Sequence, residues 1–306
     1  MRFIAVLNRD GGTLRTTDLD AFSQRLNSIL TDAGHSVEIN VVDGKDIVPE
    51  LKRAARKRSP DVILAGGGDG TISAAAAALM GSDKALAVLP AGTMNLFARG
   101  LGIPQQLDAA LLAFAGGEVK AVDLASADGR PFVHQFSIGL HAKMVVLREQ
   151  MEFASRLGKI GASLKAAYRT VMKPPSMRVQ LTIGGTEIVT RTSGIGISNN
   201  LFGEGHLPYA DEPDGGVLGI YVTVAKERGE LIRMAANMAR GKWRDNDQVE
   251  IHEAEEAELK ILSRNRRFRC VIDGELYPLK DTTQIRIHKK ALNVLVPSAL
   301  KNAKAA

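Results

Sequence analysis

Along the first third of the chain, short apolar runs at 3–7, 37–42, 62–65 and 85–89 alternate with segments at 17–33, 46–58 and 71–80 whose apolar residues recur at the helical period. That alternation predicts βαβα order, hence a parallel sheet covered by helices. Thr17, ahead of Leu19, Phe22, Leu26 and Leu30, is the expected N-cap of the first helix, and Gly34 its C-terminal stop. Further helices at 94–100 and 105–115 carry the same unit to Gly116-Gly117. After Val122-Asp123 the pattern changes to short strand-like segments at 132–138, 177–183, 187–191, 194–198, 218–224, 249–252, 258–262, 267–272, 284–288 and 292–296. Turn signals such as Gly184-Gly185 and Gly215-Gly216 separate them, which predicts an antiparallel sandwich or barrel-like domain with helical insertions at 147–172 and 227–240. The fold class is therefore α/β plus β: a parallel-sheet domain over 1–123, with 292–306 as a candidate completion, followed by a β-sandwich domain over 124–291.

Composition narrows the setting. With 306 residues, 45% hydrophobic and 24% charged, the chain is of ordinary globular type. Its formal charge of +6 suits an anionic partner such as a nucleotide, a nucleic acid or a membrane surface. A single cysteine, Cys270, excludes an internal disulfide framework and a cysteine-rich zinc site, and fits a reducing cytosolic compartment. The first apolar run is too short for a signal-peptide core, and no stretch approaches the roughly 18–20 apolar residues of a spanning helix, so membrane contact is expected to be peripheral. Aromatic residues at 5% are too sparse for the stacking platforms of single-strand nucleic-acid binders, so no nucleic-acid partner is expected.

The strongest local signal is Ala65-Gly66-Gly67-Gly68-Asp69-Gly70-Thr71, a glycine run that leaves the third strand and opens a helix. At the carboxyl edge of a parallel sheet, glycines let backbone N–H groups approach phosphate oxygens. Asp69 among them would repel phosphate unless a divalent cation or a proton intervenes, which points to Mg²⁺-nucleotide chemistry or a general base. The plain alternative is a glycine-rich turn with Asp69 as a helix cap. A second loop, from Pro90 to Arg99, repeats the arrangement after the fourth strand, with Gly92 for close approach, Thr93 and Asn95 as hydrogen-bonding groups and Arg99 in reach of an anion. Neither a P-loop nor a Gly-x-Gly-x-x-Gly fingerprint after the first strand is present. Asp211 and Asp214, beside Gly215-Gly216, offer hard oxygen ligands for a cation or form a solvated acidic turn.

Together, Gly67-Gly68-Asp69-Gly70-Thr71, Pro90 to Arg99 and Asp273-Gly274-Glu275 resemble the bacterial diacylglycerol kinase-like lipid kinases, related to sphingosine and ceramide kinases, and the resemblance runs nearly the whole chain. It implies a Rossmann-like nucleotide-binding domain and a β-sandwich, with ATP and Mg²⁺ as the cofactors and a lipid hydroxyl as acceptor. Asn8, Gly67, Gly68, Asp69, Gly70, Thr71, Gly92, Thr93 and Asn95 are then the ATP-binding set. Glu275 is the implied base and Asp69 the organiser of metal and phosphates. Asp211, Asp214 and Gly216 match the family's acidic metal loop, and Asp123 a family aspartate near the domain junction.

Several positions depart from the family: Ser73-Ala74-Ala75 replaces Asn-Glu-Val, Leu96 replaces an aspartate, His141 replaces another, and a threonine often found near the end of the second strand is absent from Val41-Val42-Asp43, which implies divergence in the acceptor. Segment 147–173 carries Arg156, Lys159 and Lys165 among other cations and apolar residues, and is the expected membrane- and lipid-facing element. The expected function is an ATP-dependent lipid kinase acting on a diacylglycerol-like lipid, cytoplasmic and peripheral to the inner face of the membrane. A ceramide or sphingoid-base kinase, a soluble NAD kinase-like enzyme and a noncatalytic nucleotide-dependent membrane-binding module are the alternatives; the oligomeric state is left open.

Overall fold

The computed structural model describes residues 1–149, 161, 165, 168–225, 227–263 and 268–298. Two compact units emerge: Met1–Leu124 with Asp211–Asp214 and the segment from His288, and Ala125–Ala210 with Gly215–Ile287.

In the first unit, β1 (Arg2–Asn8), β2 (Ser36–Val42), β3 (Val62–Gly67) and β4 (Ala85–Pro90) form a parallel sheet in the order β2-β1-β3-β4. Every residue of β3 and β4 is buried, as expected of central strands covered on both faces. Helices α1 (Leu19–Asp32), α2 (Ile47–Arg56), α3 (Asp69–Leu79), α4 (Leu96–Gly100) and α5 (Leu107–Ala115) complete the α/β pattern. Phe22, Leu26 and Leu30, spaced i, i+4, i+8, are the fully buried face of α1. That helix starts one residue later than Thr17 suggests. Asp18 caps it, accepting from the backbone N–H groups of Asp20 and Ala21, while the Thr17 hydroxyl donates to Thr13 O at 2.9 Å. Because β1 to β4 all run the same way, the loops after them share one edge of the sheet.

The second unit is a β-sandwich. One sheet follows the order β12-β11-β10-β7-β14-β15, from β7 (Gln135–Gly139), β10 (Gly194–Asn199), β11 (Leu218–Thr223), β12 (Val249–Ala254), β14 (Arg269–Ile272) and β15 (Glu275–Pro278). The other contains β8 (Met177–Ile183), β9 (Thr186–Thr192), β13 (Glu256–Ile261) and the first part of β16 (Thr282–Val296). Alternate residues of both sheets, including Val179, Leu181, Leu259 and Ile285 from one and Phe136, Ile138, Ile197 and Ile220 from the other, meet in one apolar core. Helices α6 (Leu140–Glu149) and α7 (Arg228–Ala239) interrupt the strands.

Besides the later start of α1, and α6, which begins at Leu140 where the pattern placed a helix only from 147, three strand regions differ from the sequence pattern. The run at 132–138 divides into β6 (Arg130–Phe132) and β7. A strand absent from the pattern, β5 (Glu118–Ala127), starts with four residues that are exposed or half-buried. The segments 284–288 and 292–296 form one strand, β16. Its inward residues change from Thr283, Ile285 and Ile287 to Leu292 and Val294, and the change of phase occurs around Lys290, at φ +53°. The buried Asp123 carboxylate fixes that irregularity by accepting Lys290 N–H at 2.8 Å.

Candidate active site

Three loops on the carboxyl edge of the first sheet are knitted together. At the end of β1, Asn8 Nδ2 donates to Thr71 Oγ1 at 3.2 Å, and its Oδ1 accepts Asp10 N–H at 3.0 Å. Gly12 follows at φ +45°, with the Ala91 carbonyl occupying the space a Cβ would need, and Thr13 N–H donates to that carbonyl at 2.7 Å. A Cβ on Gly92 would lie 2.8 Å from Gly68 Cα and 2.7 Å from Asn95 Oδ1, so the second and third loops touch backbone to backbone. Asn95, at φ +49°, folds its amide back to accept Gly92 N–H at 2.8 Å and to donate to Gly92 O at 3.1 Å. A Cβ on Gly67 would strike Thr71. Much of the glycine content is therefore required by loop packing. Gly68 differs: the nearest atom to its would-be Cβ is 3.7 Å away, leaving room above the backbone for a ligand.

Asp69 is the first residue of α3, and its half-buried carboxylate accepts Leu96 N–H through Oδ1 at 3.2 Å. It thereby joins the N-termini of α3 and α4, where partial positive charge favours an anion. Its Oδ2 makes no hydrogen bond among the described residues. Thr71 is buried, whereas Gly70 and Thr93 are exposed at the loop surface. Arg99 directs its Nε to Met94 O at 2.9 Å and so braces the third loop. Asn8, Gly67, Gly68, Asp69, Thr71, Gly92 and Asn95 thus form one cluster.

Asp211 and Asp214 belong to the first unit and Gly216 to the second. Asp214 Oδ1 is engaged by Lys120 Nζ at 3.1 Å, and Asp123 N–H donates to Pro213 O at 2.9 Å, which ties this loop to β5. Among the described residues no group of three His, Cys, Asp or Glu side chains is placed to hold a metal ion. In the second unit, Asp273 (φ +46°) and Gly274 (φ +89°) form the two-residue turn between Ile272 and Glu275, and both positive angles are those of a type I′ hairpin. Glu275 begins β15 and is exposed. Sequence reasoning missed the role of Asp273, whose carboxylate accepts the backbone N–H groups of Val133, His134 and Gln135 at 2.9, 2.9 and 3.1 Å. The Asp-Gly pair between apolar runs and the Asp-Gly-Glu motif marked the turn in the sequence, but neither points to these backbone partners. His141, at the start of α6, meets Ser137 Oγ through Nδ1 at 2.7 Å. Arg156 and Lys159 lie outside the described residues, and Lys165 is exposed.

Family profiles match in tandem: a diacylglycerol kinase catalytic domain over residues 2–127 and a YegS C-terminal NAD kinase beta sandwich-like domain over residues 136–296. The chain belongs to the diacylglycerol kinase-like lipid kinase family. Among similar members, an uncharacterised protein of Synechocystis sp. is 28% identical over 86% of this chain and 62% of its own length. Lipid kinase YegS of Escherichia coli K12 is 31% identical over 46% of this chain and 48% of its own. This family chain therefore spans between about half and three-fifths of the curated relatives it matches. A diacylglycerol kinase of Bacillus anthracis str. Sterne has the same fold, with a TM-score of 0.73 over 97% of each chain at 20% identity.

Proposed function

We propose that the chain is an ATP-dependent lipid kinase that transfers the γ-phosphoryl group of ATP to the hydroxyl of a diacylglycerol-like lipid, from the cytoplasmic face of a membrane. The observation that carries this reading is Asp69, a half-buried carboxylate at a helix N-terminus, set between two backbone-to-backbone glycine loops and bonded on one oxygen only. The open backbone at Gly68 and the α3 N-terminus supply N–H groups and positive potential for phosphate oxygens. Asn8 and Asn95 hold the flanking loops in register, so little reorganisation is needed when a nucleotide binds.

A hard cation fits the chemistry of Asp69, because Oδ2 is a carboxylate oxygen without a protein partner among the described residues. When bound, Mg²⁺ would neutralise charge on the phosphates. The fit is poorer at the acidic loop, where Lys120 already engages Asp214. In the proposed reaction the lipid hydroxyl oxygen bonds to the γ-phosphorus as the bond from that phosphorus to the β–γ bridging oxygen breaks, releasing ADP. Glu275, exposed at the start of its strand, accepts the hydroxyl proton.

The test is phosphoryl transfer from labelled ATP with Mg²⁺ to diacylglycerol, ceramide and sphingosine in mixed micelles, with NAD as a soluble acceptor. Labelled diacylglycerol is expected. Asp69→Asn keeps a carbonyl for Leu96 N–H but removes the charge, so turnover falls by at least about a hundredfold with Tm unchanged. Label in NAD alone, or full turnover by Asp69→Asn, refutes the reading.

A further inference from the structure

The basic segment 45–58 plays no part in the site described above. It contains Lys45, Lys52, Arg53, Arg56, Lys57 and Arg58 against Asp46 and Glu50, and so holds four of the chain's formal +6 charges. Its centre is α2, which buries Ile47, Leu51 and Ala54 against its own unit. The opposite side presents Val48, Pro49, Lys52, Arg53 and Arg56 along one shallow depression, with Val48 40% exposed. Val48, Lys52 and Arg56 follow one another at i, i+4 and i+8, a ridge of about 12 Å at 1.5 Å per residue.

Ordinary surface pairing does not account for this charge. Arg53 pairs with Glu50 at 2.7 Å, and Lys57 with Glu38 at 2.7 Å. For Lys52, Arg56 and Arg58 no carboxylate lies within ion-pair distance among the described residues. Cations in the last turn complement the helix dipole, which explains Arg53 and Arg56. Lys52 and Arg58, and the exposed Val48-Pro49 pair ahead of them, need another reason.

The place of the helix supplies one. Arg9 N–H donates to Val42 O at 2.9 Å and Gly44 N–H to Asp10 Oδ2 at 2.8 Å, so the segment leading into α2 is bound to the loop that carries Asn8. The first turn of α2, with Val48 and Pro49, therefore starts at the sheet edge that carries the glycine loops.

We infer that the outer face of α2 is a docking surface for a bilayer rich in anionic phospholipid, with Lys52 and Arg56, joined by the exposed Arg58 two residues past the helix end, against the headgroup phosphates and Val48 and Pro49 at the headgroup boundary. An exposed helix face with an apolar start and unpaired cations complements a broad negative surface. The inference rests on the lipid-kinase reading, because a kinase whose acceptor lies in a bilayer must hold its phosphate site beside that surface.

The experiment is sedimentation with phosphatidylcholine vesicles that contain or lack phosphatidylglycerol, comparing the parent with Lys52→Gln/Arg56→Gln/Arg58→Gln and with Val48→Asp. All four positions are exposed, so thermal melts should coincide. Binding of the parent only to phosphatidylglycerol vesicles is expected, weakened on the order of a hundredfold in the triple variant at low salt. The difference should shrink as salt is raised. Val48→Asp should weaken binding on its own, and none of the variants should alter turnover on a short-chain acceptor dispersed without vesicles. Equal vesicle binding by parent and triple variant overturns the inference, as does a parent that binds duplex DNA but neither kind of vesicle. Vesicle binding does not require phosphoryl transfer, so bound but inactive protein would refute the kinase reading alone, and active protein with an indifferent triple variant would refute the docking surface alone.

Discussion

Replacing Asp273 separates two things that one residue does in the β14–β15 turn. Its backbone sits at φ +46°, a region that Asp, Asn and Gly tolerate and Ala resists by about 1 kcal/mol. Its Oδ1 accepts His134 and Gln135 N–H, and Oδ2 accepts Val133 N–H. Asparagine keeps the backbone preference and one carbonyl acceptor but turns an amide NH₂ toward Val133, a buried residue whose N–H then has no acceptor. With charge-assisted bonds at ~1.5–3 kcal/mol each, Asp273→Asn should cost about 2–3 kcal/mol. Asp273→Gly loses all three bonds without strain and should cost about 4–5 kcal/mol, and Asp273→Ala about 1 kcal/mol more than glycine. The single tryptophan, Trp243, is buried in the second unit, so its fluorescence during urea unfolding reads that unit directly. The order Asn, Gly, Ala in falling stability is the expected result. An Asn variant within about 0.5 kcal/mol of the parent would show that the carboxylate charge and the Val133 contact carry no net energy, and Ala more stable than Gly would refute the backbone assignment. In the kinase reading Asp273 is a positioning residue for Glu275, so Asp273→Asn should lower kcat with KM for ATP unchanged.

Other substitutions probe the loops and the sandwich. Gly92→Ala forces a Cβ to 2.8 Å from Gly68 Cα and should cost about 2 kcal/mol in thermal unfolding, whereas Gly68→Ala meets only an ordinary 3.7 Å contact and should keep the parent Tm while weakening nucleotide binding. Equal thermal effects of the two would contradict the loop packing. Burial pushes the Tyr221 hydroxyl up to about 12, and that hydroxyl accepts Phe202 N–H at 2.8 Å. A pKa raised on folding adds stability that is complete below the unfolded value of about 10 and is lost as pH rises through about 12. Tyr221→Phe should therefore cost about 1 kcal/mol at neutral pH and show a shallower loss of stability across that alkaline window, read by urea titration at stepped pH.

The features legible in the sequence are those set by neighbours along the chain. β3 and β4 are apolar at every position because both faces are covered, and β8 runs from Met177 to Ile183 as its alternation implies. Asp69 announced itself as the one carboxylate in a run of glycines leaving a strand. Tertiary structure decided what local pattern does not encode. Exposed residues at the start of β5 gave no strand signal, and the polar Lys289-Lys290 pair split the pattern of β16 into two segments although the strand is continuous, its change of inward phase held by Asp123, 167 residues away. The choice of Asp18 over Thr17 as the α1 cap is by contrast local, since the Thr17 hydroxyl bonds Thr13 O only four residues back, in the turn before the helix. Asp69 meets Leu96 N–H across 27 residues, and Asp273 meets the 133–135 backbone across 138 to 140. Periodicity records which side of an element is buried; which loop then stands beside which depends on strand order in the sheet, and hydrogen bonds between loops form only once that order has closed.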